Sequence, residues 1–433
     1  MKTTSIMSLV ATTLAASSLM AAAPVVSDVV MTQRGGGGRV QVDYRLDIPA
    51  VITLDVQTNV DANAAADATE GWVSIGDIHL RTASGDVNKI VTTATGCIYW
   101  HPEKDWPDGG ELPNVRAVVT AWATNSPPNY LVADLVEPYN VRFYTSPEAF
   151  PEGNCTSRVY KTDKLVMRRV PAAGVEWQMG SLAGEYGREN SFVGSKETRH
   201  AVTLNEDFYI GIYPVTKCQF YRFYGWSFSS DALDAARQFC GGTYSSYNTI
   251  RGSTGDGVDW PNTSIYTVGS SSTLKTIRNK LKFTFDIPTE AQWEYACRAG
   301  TGTSLNIGAS PSDTSSPTLA QYRQIVGHAR NVTDVDVGTT TPNAWGIYDM
   351  HGTIARTWCR DWFVDDLGSG DDSAGNGPAS GTTRVLRGPS YNSYDVEIRS
   401  ANRYKGGRAP DKTNTADATN DIGYRLWLPV TLY

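Results

Sequence analysis

The strongest constraint on the fold is a change of texture near residue 136. Before it, short apolar segments alternate with period two: "SDVVMTQ", "RVQVDYRLD", "AVITLDVQTN", "GWVSIGDIHL", "NKIVTT" and "VRAVVTAWAT". Gly, Asn, Asp and Pro separate them. Successive side chains of a strand point to opposite faces, so this pattern predicts an antiparallel β-sandwich. We place it over 25–135, with "GGGG" at Gly35–Gly38 as a turn between its first strands. Residues 136–164 carry Pro138, Pro147, Pro151 and "EGNCTS" and read as an irregular linker. From 165 to 433 Trp and Tyr become frequent, glycine-rich loops lengthen and helical stretches enter, which marks a second domain.

Two stretches of that second domain read as helices, "TKCQFYRFYGW" and "TEAQWEYACRAG". In the latter, Thr289 is placed to cap the first turn. Trp293, Ala296 and Cys297 then share one face at i, i+3, i+4, and Gly300 stops the helix.

The first 23 residues have the form of a secretory signal. Lys2 precedes an apolar run from Ile6 to Met20, and Ala21–Ala23 offer a cleavage site near Ala23. A secreted or periplasmic protein is therefore expected. No other stretch approaches the roughly 18 apolar residues that a membrane span needs. The net charge of -7 and the lack of a basic stripe argue against nucleic acid. Six cysteines (Cys97, Cys155, Cys218, Cys240, Cys297, Cys359) form no CxxC. Export permits up to three disulfides, and buried free thiols are the alternative.

The blocks "VEWQMGS", "ETRHAVTLNEDFYIGIYPVTKCQFYRF", "FDIPTEAQWEYACRAGT", "TTTPNAWGIYDMHG", "CRDW", "TRVLRGPSY", "RSANR" and "IGYRLWLP" follow one another from about Leu165 to the C-terminus. In sequence and order they resemble the formylglycine-generating enzyme (sulfatase-modifying factor) family. The resemblance implies an α+β domain of C-type-lectin-like fold. The N-terminal sandwich lies outside it and is similar to the small immunoglobulin- or fibronectin-like β-domains that precede this module in secreted bacterial proteins.

The resemblance also implies a chemistry, and the residues depart from it. Active members oxidise a substrate cysteine with oxygen through a cysteine pair near the C-terminus, whose soft thiolates suit copper(I). Here the corresponding segment, from Arg384 to Arg425, contains no cysteine. Ser390, Tyr391, Ser393 and Tyr394 are no substitute for thiolates, so cysteine oxidation and a copper site are not expected. In "YDMHGTIARTWCRDW", Thr353, Ala355 and Arg356 stand where the family has Asn, Trp and Glu. The Asn and Glu contribute to a family calcium site, which needs several hard oxygens. That site is expected to be lost, with Arg356 in the ion's place and paired with Asp361. A second family calcium site would draw on Asn331, Asp334 and Asp336, which also read as a solvated acidic turn. The five histidines are scattered and give no iron site.

Two classes of function fit these residues. One is a ligand-binding, lectin-like module that presents its C-terminal loops to a protein or glycan. Its candidate binding residues are Tyr391, Asn392, Tyr394, Asp395, Arg399, Arg403 and Tyr404, since Tyr with Ser and Asn makes an adaptable contact surface. A variant of this reading is a binding protein whose loops are diversified by a retroelement. The other class is an enzyme, or enzyme partner, that modifies exported proteins such as sulfatases.

Overall fold

A computed structural model describes residues 23–33, 38–59, 61, 70–107, 114–188, 196–226, 238, 240, 245–252, 260–261, 265, 267–308, 336–351, 356–368, 377–391, 393–405 and 421–431. Apart from Ala23, the expected leader lies outside these residues. So do Asn331, Asp334, Thr353, Ala355 and Asn392.

The N-terminal region is built of antiparallel sheets, as its alternation requires. One sheet has the order β1 (Val26–Gln33), β2 (Val40–Leu46), β7 (Thr95–Trp100), β5 (Ser84–Gly85). The other centres on β3 (Ala50–Asn59), which pairs with β4 (Trp72–Ser74), β6 (Lys89–Val91) and β8 (Val115–Trp122). Inward residues of both sheets, among them Val42, Tyr44, Ile52, Val56, Ile98 and Val119, form one apolar cluster. The segment "GWVSIGDIHL" is a strand only at its start, because Gly76 (φ 87°) turns the chain into a 3-10 turn at Asp77–Leu80. A four-residue helix, α1 (Pro102–Asp105), follows β7.

The stretch expected as an irregular linker is partly sheet. β9 (Tyr130–Asp134), β10 (Val141–Tyr144), β11 (Lys164–Val170), β14 (Phe208–Gly211) and β19 (Trp427–Pro429) make one five-stranded sheet in the order β10-β9-β11-β14-β19. The prolines around residues 138–151 do not break it. They sit between β9 and β10 and in the turns after β10, where no ladder N–H is needed. Val51 of β3 joins Leu131, Ala133, Phe143, Leu165 and Met167 in a single apolar cluster, so the core runs through this segment without a gap.

Beyond the sheet come the hairpin β12 (Glu176–Met179) and β13 (His200–Thr203), then α2 (Lys217–Tyr224), α3 (Tyr247–Arg251), α4 (Thr273–Leu281) and α5 (Glu290–Arg298). Both helices read from the sequence form. Thr216 with Gln219 and Thr289 with Gln292 each make a reciprocal capping box. A last sheet, in the order β17-β16-β15-β18, joins β15 (Arg356–Trp362), β16 (Arg384–Arg387), β17 (Arg403–Lys405) and β18 (Ile422–Gly423). α5 packs on this sheet and is buried on every side, with Trp293, Ala296 and Cys297 in the apolar cluster beneath it.

Candidate functional site

The segment that would carry the family's chemistry runs from β16 through the loop 388–402 to β17. Its floor is set by strand pairing. β16 and β17 are antiparallel neighbours, β15 lies on the other side of β16, and β18 runs parallel to β15 with Arg356 opposite Ile422. That parallel pairing brings Asp421, just before β18, beside Arg356, the first residue of β15.

Arg356 pairs with Asp421 and not with Asp361. The expected partner is instead turned toward α5, where its Oδ2 accepts the Glu290 amide. The β15–β16 register shifts between Trp358 and Trp362, and within that irregular stretch Asp361 faces α5 while Arg356 stays beside β18. The guanidinium of Arg356 lies 4.2 Å from the centre of the Tyr404 ring. Its Nη2 donates to Ser393 Oγ at 3.4 Å. Ser390 Oγ donates to Asp421 at 3.0 Å, and Ser393 Oγ lies 3.2 Å from the Tyr404 hydroxyl. Burial and desolvation push the Tyr404 phenol well above its ordinary range. The result is a closed network of hydroxyls around one ion pair.

The other arginines assigned to a binding face point inward. Arg399 forks onto Glu197 at 2.6 and 2.8 Å and also reaches Glu185 and the Gly187 carbonyl. Arg403 forks onto Glu290 at 2.5 and 3.0 Å and donates to the Val364 carbonyl. Each is 2% exposed, so both lie beneath the surface of the loop. Tyr404, 7% exposed, is likewise part of the floor. Tyr391 is half-buried and Tyr394 is 44% exposed, so both tyrosines stand toward the outer rim of the loop. Asp395 opens a single 3-10 turn, Asp395–Glu397.

Behind the loop, Arg387 bonds Glu294 and the carbonyls of Ala401 and Asn402, which fixes the segment's far end to α5. Arg298 also bonds Glu294, at 2.6 Å. These two guanidiniums hold the buried Glu294 carboxyl below its usual range against the cost of desolvation. Asp349 and Arg425 tie neighbouring loops together. Asp349 accepts from the Gly338 amide and the Thr340 hydroxyl, and Arg425 donates to the Gly211, Ile212 and Tyr348 carbonyls.

All six cysteines are free thiols. Cys297 lies 3.6 Å from both His351 Nε2 and Ser400 Oγ, and burial pushes its thiol up to about 12. Cys359 is buried within β15, and its thiol is also raised by burial. A thiol held protonated is not a ready nucleophile. The donors that face the β16–β17 loop are hydroxyls and one carboxylate already paired with arginine, a set that does not fit a soft ion. Among the described residues no group of three or more His, Cys, Asp or Glu is arranged to hold a metal.

The α5 helix is buried on a four-stranded sheet, and arginine–glutamate ties join it to the C-terminal loop. The chain matches the "Sulfatase-modifying factor enzyme 1-like domain" over residues 166–427, more than half its length, and it belongs to that family. It is 26% identical over 263 residues to "Serine/threonine-protein kinase pkn1" of Chlamydia pneumoniae, covering 57% of this chain and 36% of that protein. It is 30% identical over 147 residues to the formylglycine-generating enzyme of Streptomyces coelicolor, covering 32% of this chain and 45% of that enzyme. The chain thus spans less than half the length of these relatives. Among solved structures it is similar to PvdO from Pseudomonas aeruginosa, with a TM-score of 0.42, 22% identity and coverage of 61% of this chain and 94% of that one. It is also similar to Treponema denticola variable protein 1, with a TM-score of 0.40, 20% identity and coverage of 61% and 95%.

Proposed function

We propose that the protein is an exported binding module of the sulfatase-modifying-factor family, of C-type-lectin-like fold, and that it does not oxidise cysteine. The observation that carries this reading is the network at the β16–β17 loop. Where the family resemblance calls for a thiolate pair, this chain has Ser390 and Ser393 bonded into the Arg356–Asp421 pair. Hydroxyls at that position bind no copper(I) and carry no redox chemistry. The tyrosines on the rim support a contact surface, since Tyr offers large area at low entropy cost. The ligand in this reading is a protein or glycan surface that reaches Tyr391 and Tyr394.

Two measurements test it. Purified protein with copper and oxygen should leave a sulfatase-type cysteine peptide unmodified by mass spectrometry, and conversion of the peptide would refute the reading. In a screen of immobilised glycans and exported proteins, the Tyr394→Ala variant should bind any retained partner about tenfold more weakly or worse. Equal binding by this variant and the wild type would remove the loop from the interface.

A further inference from the structure

Three arginines converge on one carboxylate behind β15. Asp286 Oδ2 lies 3.3 Å from Arg251 Nη2, 3.6 Å from Arg278 Nη2 and 3.5 Å from Arg360 Nη1. Charge-assisted N–H···O bonds run at roughly 2.7–2.9 Å. All three contacts are longer than that, and Asp286 Oδ2 accepts no hydrogen bond. Arg251 and Asp286 are 0% exposed and Arg360 1%, while the Arg278 side chain is 11% exposed and reaches the surface.

The arginines differ in how their remaining donors are used. Arg278 donates to the Phe285 and Ile265 carbonyls. Arg251 and Arg360 each make one clear bond outside the cluster, to the Thr267 carbonyl and to Gln292 Oε1. Their Nε and Nη1 groups are buried and make no hydrogen bond among the described residues, the nearest polar neighbours being Asp286 at 3.5 Å from Arg360 Nη1 and Tyr247 beside Arg251. The rings of Trp260 and Trp427 lie 4.5 and 4.4 Å from the Arg360 guanidinium, so its open approach is through the donors at its edge. A buried N–H left unmade costs about 1–3 kcal/mol, and more when the group is charged.

Charge points the same way. Asp361 and Glu206 are the other carboxylates whose field reaches Arg360. Neither forms an ion pair with it, and Asp361 Oδ2 is taken by the Glu290 amide. Among the described residues, Asp286 is the one carboxylate within ion-pair distance of the two enclosed guanidiniums, Arg251 and Arg360. A buried excess of positive charge with unused donors calls for an anion, because buried charges persist when paired.

We propose that this cluster is a buried anion site that takes one small monovalent anion of the halide class, bound by the Nε and Nη1 donors of Arg251 and Arg360. Arg251 closes α3, Arg278 lies on α4 and Arg360 lies on β15. The anion would therefore fasten the α3–α4 segment to the C-terminal sheet. This inference is independent of any ligand bound at the β16–β17 loop.

The test is thermal unfolding of the full chain at constant ionic strength, with sodium gluconate exchanged stepwise for sodium chloride or bromide. A site that binds only the folded state gives a saturable rise in Tm of roughly 2–4 °C. Arg360→Met should abolish the halide dependence whatever its own Tm. Crystals grown in bromide should show an anomalous peak within hydrogen-bonding distance of Arg251 and Arg360, which decides the matter even where the variant fails to fold. Identical Tm values in gluconate and chloride, or ordinary water density at the cluster, would overturn the proposal.

Discussion

At Arg356 a single substitution alters both chemistry and packing. The family position that would offer an acidic oxygen to calcium offers a guanidinium, which finds Asp421 and the Tyr404 ring. The side chains of the pair are 17% and 10% exposed, so water screens them little. Breaking a buried pair costs about 3–5 kcal/mol, while a surface pair is worth about 0–1 kcal/mol. Arg356→Ala should therefore destabilise by about 3 kcal/mol in urea unfolding, and added calcium should restore nothing. The double change Arg356→Ala with Asp421→Ser should recover part of the loss, since it leaves no uncompensated carboxylate. Asp361 gives a second test. Burial and the neighbouring Glu290 carboxylate raise its pKa to about 8, far above the roughly 3.9 of an unfolded aspartate. Between those values the unfolded chain releases a proton that the folded chain keeps, so this residue's contribution to stability falls as pH rises from about 4 to 8. Asp361→Asn can still accept the Glu290 amide and should flatten that decline. The gap in Tm between variant and wild type should widen in the variant's favour from pH 5 to pH 8, and parallel profiles would contradict the assignment.

Elements whose signals are local were legible in the sequence. α5 was readable because its cap, apolar face and stop lie within a dozen residues. Thr289 accepts the Gln292 amide as the spacing predicts, and the chain turns left-handed at Ala299, one residue before the expected glycine. Thr289→Ala should cost about 1 kcal/mol, because an N-cap oxygen serves an amide that has no other partner. Denaturant unfolding measures this directly, and Thr289→Ser should be nearly neutral. α3 hides in a stretch rich in Ser, Asn and Gly that reads as loop, and its five residues are too few for a periodicity to emerge. β10 was obscured by the prolines that flank four apolar-alternating residues. The site was only partly legible for a related reason. The missing thiolates were plain from composition. The partner of Arg356 depended on β18 lying parallel to β15, a pairing between residues 65 positions apart that no local pattern encodes. The burial of Arg399 and Arg403 is not legible locally, because a polar residue in a tyrosine- and serine-rich loop looks exposed and the glutamates that hold these two are distant in sequence.

At the scale of the whole molecule, the family match and the cooperative unit begin in different places. The match opens at residue 166, inside β11. Yet β9 pairs along β11, β10 pairs along β9, and Leu131, Ala133 and Phe143 sit in the same apolar cluster as Leu165, Tyr209 and Leu428. The chain just ahead of β9 is tied in as well. Arg169 donates to the Pro127 carbonyl, and Tyr209 donates to the Pro128 carbonyl. A fragment that starts at residue 166 would expose one edge of β11 and one face of the core. An unpaired edge beside buried apolar surface favours aggregation. The N-terminal sheets dock on this unit through Val51, Ile90 and Trp122, through the Phe143 amide, which donates to the Asn88 carbonyl, and through bonds from Thr145 and Ser146 to Asp77 and from Arg81 to the Glu148 carbonyl. Three chains separate these contributions: the full protein, residues 123–433 and residues 166–433. The second should stay soluble and unfold cooperatively, with a Tm several degrees below the full protein, because it keeps the five-stranded sheet and loses the docking of the N-terminal sheets at β10 and at residues 145–148. The third should be insoluble or lack a cooperative transition by calorimetry. A 166–433 chain that melts as sharply as 123–433 would mean that β9 and β10 are an appendage and that the family core is complete without them.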